Sequence, residues 1–462
     1  MGLFDTIAAI STPRGRGGIA VIRISGNDAA AIAERVFRPA SGRCLSEYLP
    51  RQAIYGSIIT TDGEELDRGV ATVFRAPASY TGEDTVELSC HGGVYVTREV
   101  LAAVLSAGAV MAGPGEFTRR ALISGKITLT EAEAVGELID ADNAEKRRLA
   151  SSAVRGVLSQ RLGELSEKLT DVMSALYAAI DYPDEDIGDD GERELGSTVD
   201  GVLSEVMKLL STYRQGRAVS EGVKCVICGL PNAGKSSLYN RIIGDARAIV
   251  TDIAGTTRDV LSERTTFGGV PLILADTAGL RRTDDTVERM GVDRARMEIN
   301  AAELIMYVID TSVRLSTEEL ESIAMLPADV PRIAVLNKCD LPSAVNENEL
   351  ASACEGFTDA VRVSCSGGIG LDSLSDAVGS FFDSGACDLG RDPVIWSARH
   401  EAMLRRTAEY LSEASEALSS GAPIDAACTL CESALSELRE MDGRGVTADI
   451  VDGIFKHFCV GK

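Results

Sequence analysis

Over roughly the first hundred residues, β-prone apolar runs such as Gly18-Ile19-Ala20-Val21-Ile22-Arg23-Ile24 and Val70-Ala71-Thr72-Val73-Phe74 lie between Gly-rich turns, and one stretch from about Val94 to Ala107 has helical spacing. That mixture predicts an α+β domain over residues 1–120. From Gly115 onward proline disappears and the apolar positions take a helical period, through Leu158, Leu162, Leu165, Leu169, Val172 and Met173. The acidic run Pro183-Asp184-Glu185-Asp186-Ile187-Gly188-Asp189-Asp190 breaks that pattern and reads as a solvated loop. β-prone and helical segments then alternate, and after Arg391-Asp392-Pro393 helical spacing returns with Leu404, Leu411 and Leu418, then Leu430, Leu435 and Leu438. The expected architecture is multidomain α/β: residues 1–120, a helical domain in two parts at 121–221 and 386–462, and between them an inserted domain at 222–385. Movement of such an insert would pass through its two connections, near Glu221 and Ala386, which points to a regulator as well as a catalyst.

The inserted segment carries the most specific chemistry. Gly229-Leu230-Pro231-Asn232-Ala233-Gly234-Lys235-Ser236 follows the β-prone run Val223–Cys228 and precedes helical spacing from Ser237 to Ile242. This is the strand, loop and helix context of a phosphate-binding loop. Glycines let backbone N–H groups converge on phosphate oxygens, the helix N-terminus adds its dipole, Lys235 supplies a cation and the Ser236 hydroxyl can ligate Mg²⁺. Ala233, Gly234 and Ser237 complete the set of loop residues placed against the phosphates.

Two further motifs each follow an apolar strand. Asp276-Thr277-Ala278-Gly279 comes after Pro271–Ala275, so that Asp276 can hold Mg²⁺. Asn337-Lys338-Cys339-Asp340 comes after Ile333–Leu336, and a buried-edge aspartate at that place can accept hydrogen bonds from the N1–H and exocyclic amine of guanine. GTP is therefore favoured over ATP. Val363-Ser364-Cys365-Ser366 is the candidate last base-contacting loop, through Ser364. The order of these motifs predicts a Ras-like P-loop G domain.

The segment Ile249 to Asp259, containing Thr251, Asp252, Ile253, Ala254, Gly255, Thr256 and Thr257, occupies the place of a first switch, and Thr257 can reach both Mg²⁺ and the γ-phosphate. After Asp276-Thr277-Ala278-Gly279, where small GTPases carry a water-orienting glutamine, stands Leu280, which cannot hydrogen-bond water. The following segment offers Arg281 and Glu288 as replacements; Glu288 reads equally as a first-turn acid of the next helix.

Composition narrows the partners. A net charge of −24 argues against a generally adhesive nucleic-acid surface, so any RNA contact is local, with Arg119-Arg120 and Lys146-Arg147-Arg148 as candidates and solvated helix faces as the plainer reading. No apolar run approaches the roughly 20 residues of a membrane span, and the start lacks a secretory signal, so a cytoplasmic protein is expected. Met1-Gly2-Leu3-Phe4-Asp5-Thr6 matches only the loose myristoylation pattern. Eleven cysteines then imply reduced thiols, and the pairs Cys225/Cys228 and Cys428/Cys431 read as packing residues, not zinc ligands.

Asn232 in the phosphate loop, Gly255-Thr256-Thr257-Arg258-Asp259, Asp276 to Arg281 and the terminal Phe458-Cys459-Val460-Gly461-Lys462 together resemble the tRNA-modification GTPases called MnmE or TrmE, along essentially the whole chain. The resemblance implies a K⁺ ion held by the Asn232 side chain and the carbonyls of Thr251, Ile253 and Thr256. It also implies Glu288 as the group orienting water. It makes the N-terminal domain a folate-binding and dimerising module for a 5-formyl- or methylene-tetrahydrofolate, with Arg23, Glu87, Lys126 and the terminal Lys462 as contacts, and Cys459 as a catalytic candidate. Thr128 stands where that family commonly has an aspartate.

By the same resemblance the activity is a K⁺-stimulated GTPase that, as a homodimer in a heterotetramer with an FAD-containing MnmG (GidA) type partner, adds an aminomethyl or carboxymethylaminomethyl group at C5 of the wobble uridine of certain tRNAs. The alternative is a ribosome-assembly GTPase switch without modification chemistry, although no basic module follows Ala386.

Overall fold

The computed structural model describes residues 5–13, 15–181, 188–247, 262–275, 297–382, 387–420, 422–444, 454–455, 458 and 460–461. Contacts group the chain into two units: Met1–Asp140 with Ala153–Val202 and Glu409–Lys462, and Ala141–Ser152 with Leu203–Ala408.

In the first unit, strands β1 (Ile7–Ile10), β2 (Ile19–Ser25), β3 (Phe37–Pro39), β4 (Ala53–Ile59), β5 (Glu65–Phe74), β6 (Thr85–His91) and β7 (Val110–Met111) form one sheet among the described residues, in the order β3-β4-β5-β6-β2-β1-β7. All neighbours are antiparallel except β1 and β7. Alternation sets its two faces. Ile22, Ile24, Val86 and Leu88 point into a core shared with Ile32 and Val36 of the Ala29–Val36 helix and Val100 and Val104 of the Val94–Ser106 helix. The intervening Arg23 and Glu87 therefore face the other side.

The helices of this unit bury the stripe expected from their period. Leu158, Leu162, Leu165, Leu169 and Val172 of the Val157–Asp181 helix are buried, although Leu176, not Met173, completes the row. Cys431, Leu435 and Leu438 line the buried side of the Ile424–Met441 helix.

One expectation is corrected: the acidic run is not wholly loop, because a helix spans Gly188–Ser211 and starts inside it.

In the second unit β8 (Val223–Cys228), β9 (Ser262–Phe267), β10 (Val270–Ala275), β11 (Leu304–Asp310), β12 (Arg332–Asn337) and β13 (Asp359–Arg362) form a sheet in the order β13-β12-β11-β8-β10-β9. Only β9 runs antiparallel. Its central strands are apolar throughout because both faces are covered. Cys225, Ile227, Met306, Val308, Ile333 and Val335 enter one core, while Val226, Cys228, Ile305, Tyr307, Ala334 and Leu336 enter the other. The strand order reverses at β8, so the crevice beyond its C-terminal end is where a ligand of such a sheet belongs. Among the described residues no helix is long and apolar enough to cross a membrane.

Candidate nucleotide site and the N-terminal face

Cys228 ends β8, and the loop that follows turns on three residues with positive φ: Gly229 at 134°, Asn232 at 62° and Gly234 at 105°. Two of these glycines are also required by space. A Cβ on Gly229 would lie 2.3 Å from the Val308 carbonyl oxygen, and one on Gly234 would lie 2.0 Å from Asn337 Nδ2. Lys235 opens the Lys235–Arg247 helix and its Nζ donates to the carbonyls of Gly229 at 2.8 Å and Leu230 at 2.7 Å, spanning the loop from within. Ala233 and Leu238 are buried and anchor loop and helix to the sheet core, while Asn232, Ser236 and Ser237 are exposed. The loop thus presents backbone N–H groups, a helix N-terminus, an ammonium and a hydroxyl in one turn, which suits a phosphate with its Mg²⁺.

Asn337 is where the structure adds most to the sequence reading. Only 3% exposed, its Nδ2 donates to the Ala233 carbonyl at 2.8 Å and its Oδ1 accepts from the Cys365 N–H at 3.2 Å. Its own carbonyl accepts from the Thr311 hydroxyl at 2.9 Å. Asn337, the first residue of the expected guanine-reading motif, thus ties the phosphate loop to the Ser364 loop. Lys338, at φ 63°, places its Nζ 2.5 Å from Asp310. Burial pushes the Asp310 carboxyl up, but hydrogen bonds from Lys338 and Ser312 outweigh it and hold it below its ordinary value. Ser364 is buried and its Oγ accepts from Gly367 N–H at 3.0 Å, which rigidifies that loop. Asp340 is exposed, not at a buried edge, because it lies beyond the end of β12 on the turn. Thr251, Asp252, Ile253, Ala254, Gly255, Thr256, Thr257, Asp276, Thr277, Ala278, Gly279, Arg281 and Glu288 lie outside the described residues.

The cysteine pairs behave as packing residues. Cys225 and Cys228 are divided between the two cores of the sheet. Burial pushes the Cys228 thiol to about 12 and Cys431 to about 11, as apolar surroundings do.

On the open face of the first sheet, Arg23 and Glu87 are cross-strand partners. Arg23 Nε donates to Glu87 Oε1 at 2.9 Å, and its guanidinium lies 5.3 Å from the Tyr80 ring centroid and 5.5 Å from that of Phe117. The sequence separated these roles; the fold joins Arg23 and Glu87 in one half-buried ion pair between two aromatic rings. Beside them Glu83 accepts from Ser25 Oγ at 2.8 Å and from Arg120 Nη1 at 3.1 Å. Arg120 is 5% exposed and also bonds Glu116. Its i, i+4 partner was readable in the sequence, whereas Glu83 was not. Lys126 is exposed and donates to the Pro77 carbonyl at 3.0 Å. Thr128 caps the Leu129–Ile139 helix: its hydroxyl accepts from Glu131 N–H at 3.2 Å and its N–H donates to Glu131 Oε2 at 3.0 Å.

Three members of the basic clusters are engaged, while Arg147 is exposed. Arg120 is spent on Glu83 and Glu116, buried Lys146 donates to the Ser220 carbonyl at 2.9 Å, and Arg148 pairs with Asp388 at 2.9 Å.

The described residues near the chain end are seated. Phe455 is buried with its ring centroid 4.9 Å from that of Phe458, and both would collide with a Cβ on Gly115. Val460 bridges to Pro114, and the Gly461 carbonyl accepts from Ser11 Oγ at 3.0 Å. Gly461 has φ 101° and no room for a side chain, since a Cβ would lie 2.1 Å from the Ile10 carbonyl oxygen. Cys459 and Lys462 themselves lie outside the described residues.

Comparison with known proteins covers the whole chain. The family model described as "GTP-binding protein TrmE N-terminus" matches residues 6–126 and that described as "MnmE helical domain" matches 129–459. The chain is 42% identical to the tRNA modification GTPase MnmE of Symbiobacterium thermophilum over 99% of both chains, and 42% identical to that of Moorella thermoacetica over 100% of both. It is 38% identical to the protein of the same name from Clostridioides difficile, over 100% of both.

Proposed function

This chain belongs to the MnmE, or TrmE, family of tRNA modification GTPases, and on that premise we propose that it works with an FAD-containing MnmG (GidA) type partner to install an aminomethyl or carboxymethylaminomethyl group at C5 of the wobble uridine of certain tRNAs. It is a GTP hydrolase that binds GTP with Mg²⁺ and serves tRNA modification. The observation that carries the reading is the phosphate loop of Gly229 to Ser236, held by Asn337 against the Ser364 loop. A loop fixed on both sides keeps its N–H groups converged before the anion arrives.

Ser236, Thr257 and Asp276 would hold Mg²⁺, and Asp340 would read guanine. The Asn232 carboxamide with the carbonyls of Thr251, Ile253 and Thr256 would hold K⁺, which neutralises charge developing between the phosphates. Support comes from Asn232, whose left-handed backbone and exposure leave its amide on the open side of the loop. Glu288 orients the attacking water where Leu280 cannot. A K⁺ requirement implies that two G domains pair, with the homodimer formed through the N-terminal domain; a monomer by light scattering in the presence of GTP would remove that part. Hydrolysis then drives a conformational cycle and does not itself form the new bond.

Arg23, Glu87, Lys126 and Lys462 would hold the one-carbon folate. Its guanidine-like N–H groups suit Glu87 and its carboxylates suit the cations. The half-buried Tyr80 ring beside Arg23, backed by the buried Phe117, adds an apolar surface that suits such a group. The seating of Val460 and Gly461 on the N-terminal domain supports a role for Cys459 there, and intact modification in Cys459→Ser cells would end that role.

The test is mass spectrometry of nucleosides from bulk tRNA of cells with and without the protein. Loss of C5-aminomethyl-type wobble uridines is expected. An unchanged profile would leave a GTPase whose task is ribosome assembly.

A further inference from the structure

Arg120, on the Glu116–Ile123 helix, is 5% exposed, and a guanidinium is rarely buried unless its charge is met. Its Nη1 lies 3.1 Å from each carboxyl oxygen of Glu83, and its Nη2 donates to Glu116 Oε1 at 3.1 Å. Glu116 accepts in turn from Gly113 N–H at 2.7 Å, and Glu83 from Ser25 Oγ at 2.8 Å. Buried ion pairs can often be replaced by apolar residues of the same volume at no cost in stability, so what such a pair adds is the geometry it fixes.

Here the geometry belongs to the loop between β5 and β6, residues 75–84, which borders the proposed folate contacts at two places. Near Arg23, the Tyr80 ring centroid lies 5.3 Å from the guanidinium, and the Tyr80 hydroxyl is 2.9 Å from Thr118 Oγ1 of the Glu116–Ile123 helix. Near Lys126, the Pro77 carbonyl accepts from Nζ at 3.0 Å, and Gly82, at φ 80°, packs so closely that a Cβ would lie 2.7 Å from Ser124 Oγ and 3.3 Å from Lys126 Cγ. Ser124 Oγ also donates to the Thr81 carbonyl at 2.6 Å. Glu83, next to Gly82, is the point at which Arg120 holds this loop. The sheet is tied to the same point, because Ser25 and its cross-strand partner Thr85 lie two residues along from Arg23 and Glu87 on one face.

We propose that Arg120 is a positioning residue of the folate site. Through Glu83 it fixes the loop that sets the spacing between the Arg23–Glu87 pair and Lys126, so that one ligand can meet both. Arg120 acts from behind, through the loop and not on the ligand. With the pair intact the loop is ordered before the ligand arrives; with it broken, ordering is charged against affinity. Lysine is not a substitute here, since a point charge cannot hold Glu83 and Glu116 with one planar fork.

The proposal rests on the folate reading of Arg23, Glu87 and Lys126, and the experiment separates the two. The full chain is titrated calorimetrically with 5-formyltetrahydrofolate as wild type, Arg120→Lys, Glu83→Gln and Ile32→Ala, and thermal unfolding ranks the stability of all four. Ile32 is buried in the core on the other face of the sheet, so its truncation destabilises the same domain from the far side. Both charge variants are expected to bind at least about tenfold more weakly than wild type. Ile32→Ala is expected to keep Kd within about twofold at an equal or greater loss of Tm, as a distant and independent site does. The proposal is overturned if whichever charge variant folds binds within about twofold of wild type, or if Ile32→Ala loses as much affinity as the charge variants at matched Tm. A wild type that does not bind 5-formyltetrahydrofolate would overturn the folate reading instead.

Discussion

Replacing Asn337 by alanine tests whether the phosphate loop is held from outside itself. The substitution removes the donor to the Ala233 carbonyl and the acceptor for the Cys365 N–H, both within 3.2 Å and both buried. Each lost neutral hydrogen bond is worth about 1 kcal/mol net, and each buried group left without a partner costs about 1–3 kcal/mol. The two orphaned groups, the Ala233 carbonyl and the Cys365 N–H, together cost about 2–6 kcal/mol. For a domain of this size 1 kcal/mol lowers Tm by about 2–4 °C, so thermal unfolding of the second unit should shift down by roughly 4–24 °C. Binding should suffer separately, because a loop no longer held converged must be ordered by the nucleotide, and a fluorescent GDP analogue should bind at least about tenfold more weakly. Asn337→Asp keeps the shape and one acceptor but sets a carboxylate against the Ala233 carbonyl, so it should be at least as damaging. An alanine variant with Tm within about 2 °C of wild type and GDP affinity within about twofold would show that Asn337 does not hold the loop.

Three further outcomes follow. GTP hydrolysis should be at least ~10-fold faster in K⁺ than in Na⁺, the scale of one good charge-stabilising contact; equal steady-state rates would remove the K⁺ assignment. Glu288→Ala should bind GTP normally by equilibrium titration yet hydrolyse it slowly, and a matching loss of binding would mark a structural residue instead. In the first unit, Asp442 is buried and accepts from the Thr130 hydroxyl at 3.0 Å. Burial raises its carboxyl above the ordinary value, as it does that of neighbouring Glu131. A folded-state value above the unfolded one stabilises below the unfolded value and is lost as pH rises through the folded one. Denaturant midpoints of the wild type should therefore fall between acid and neutral pH more than those of Asp442→Asn, and parallel profiles would refute that.

How much of this was legible depended on the range of the interaction. The phosphate loop was readable because glycine, lysine and serine at fixed spacing, between a strand and a helix, state their chemistry within eight residues. The division of Cys225 and Cys228 between two cores followed from the period of a strand alone. The capping role of Thr128 was likewise local, written in the glutamate three residues on.

What the sequence could not state was which distant groups would meet. Arg23 and Glu87 are 64 positions apart, and nothing in either strand announces the register that pairs them. Arg120 and Lys146 read as solvated helix charges until Glu83 and the Ser220 carbonyl, each remote in sequence, drew them inside. Asn337 was identified by its motif, but its clamp depends on loops from three strands converging at one sheet edge. The seat of the chain end needed the left-handed turn at Gly461 and the Ile10 carbonyl it rests on. Periodicity, turn chemistry and motif spacing are local free energies that the sequence determines by itself. Partner choice among charged and polar groups is decided by strand register and core packing, where burying an unpaired group costs more than any local preference returns.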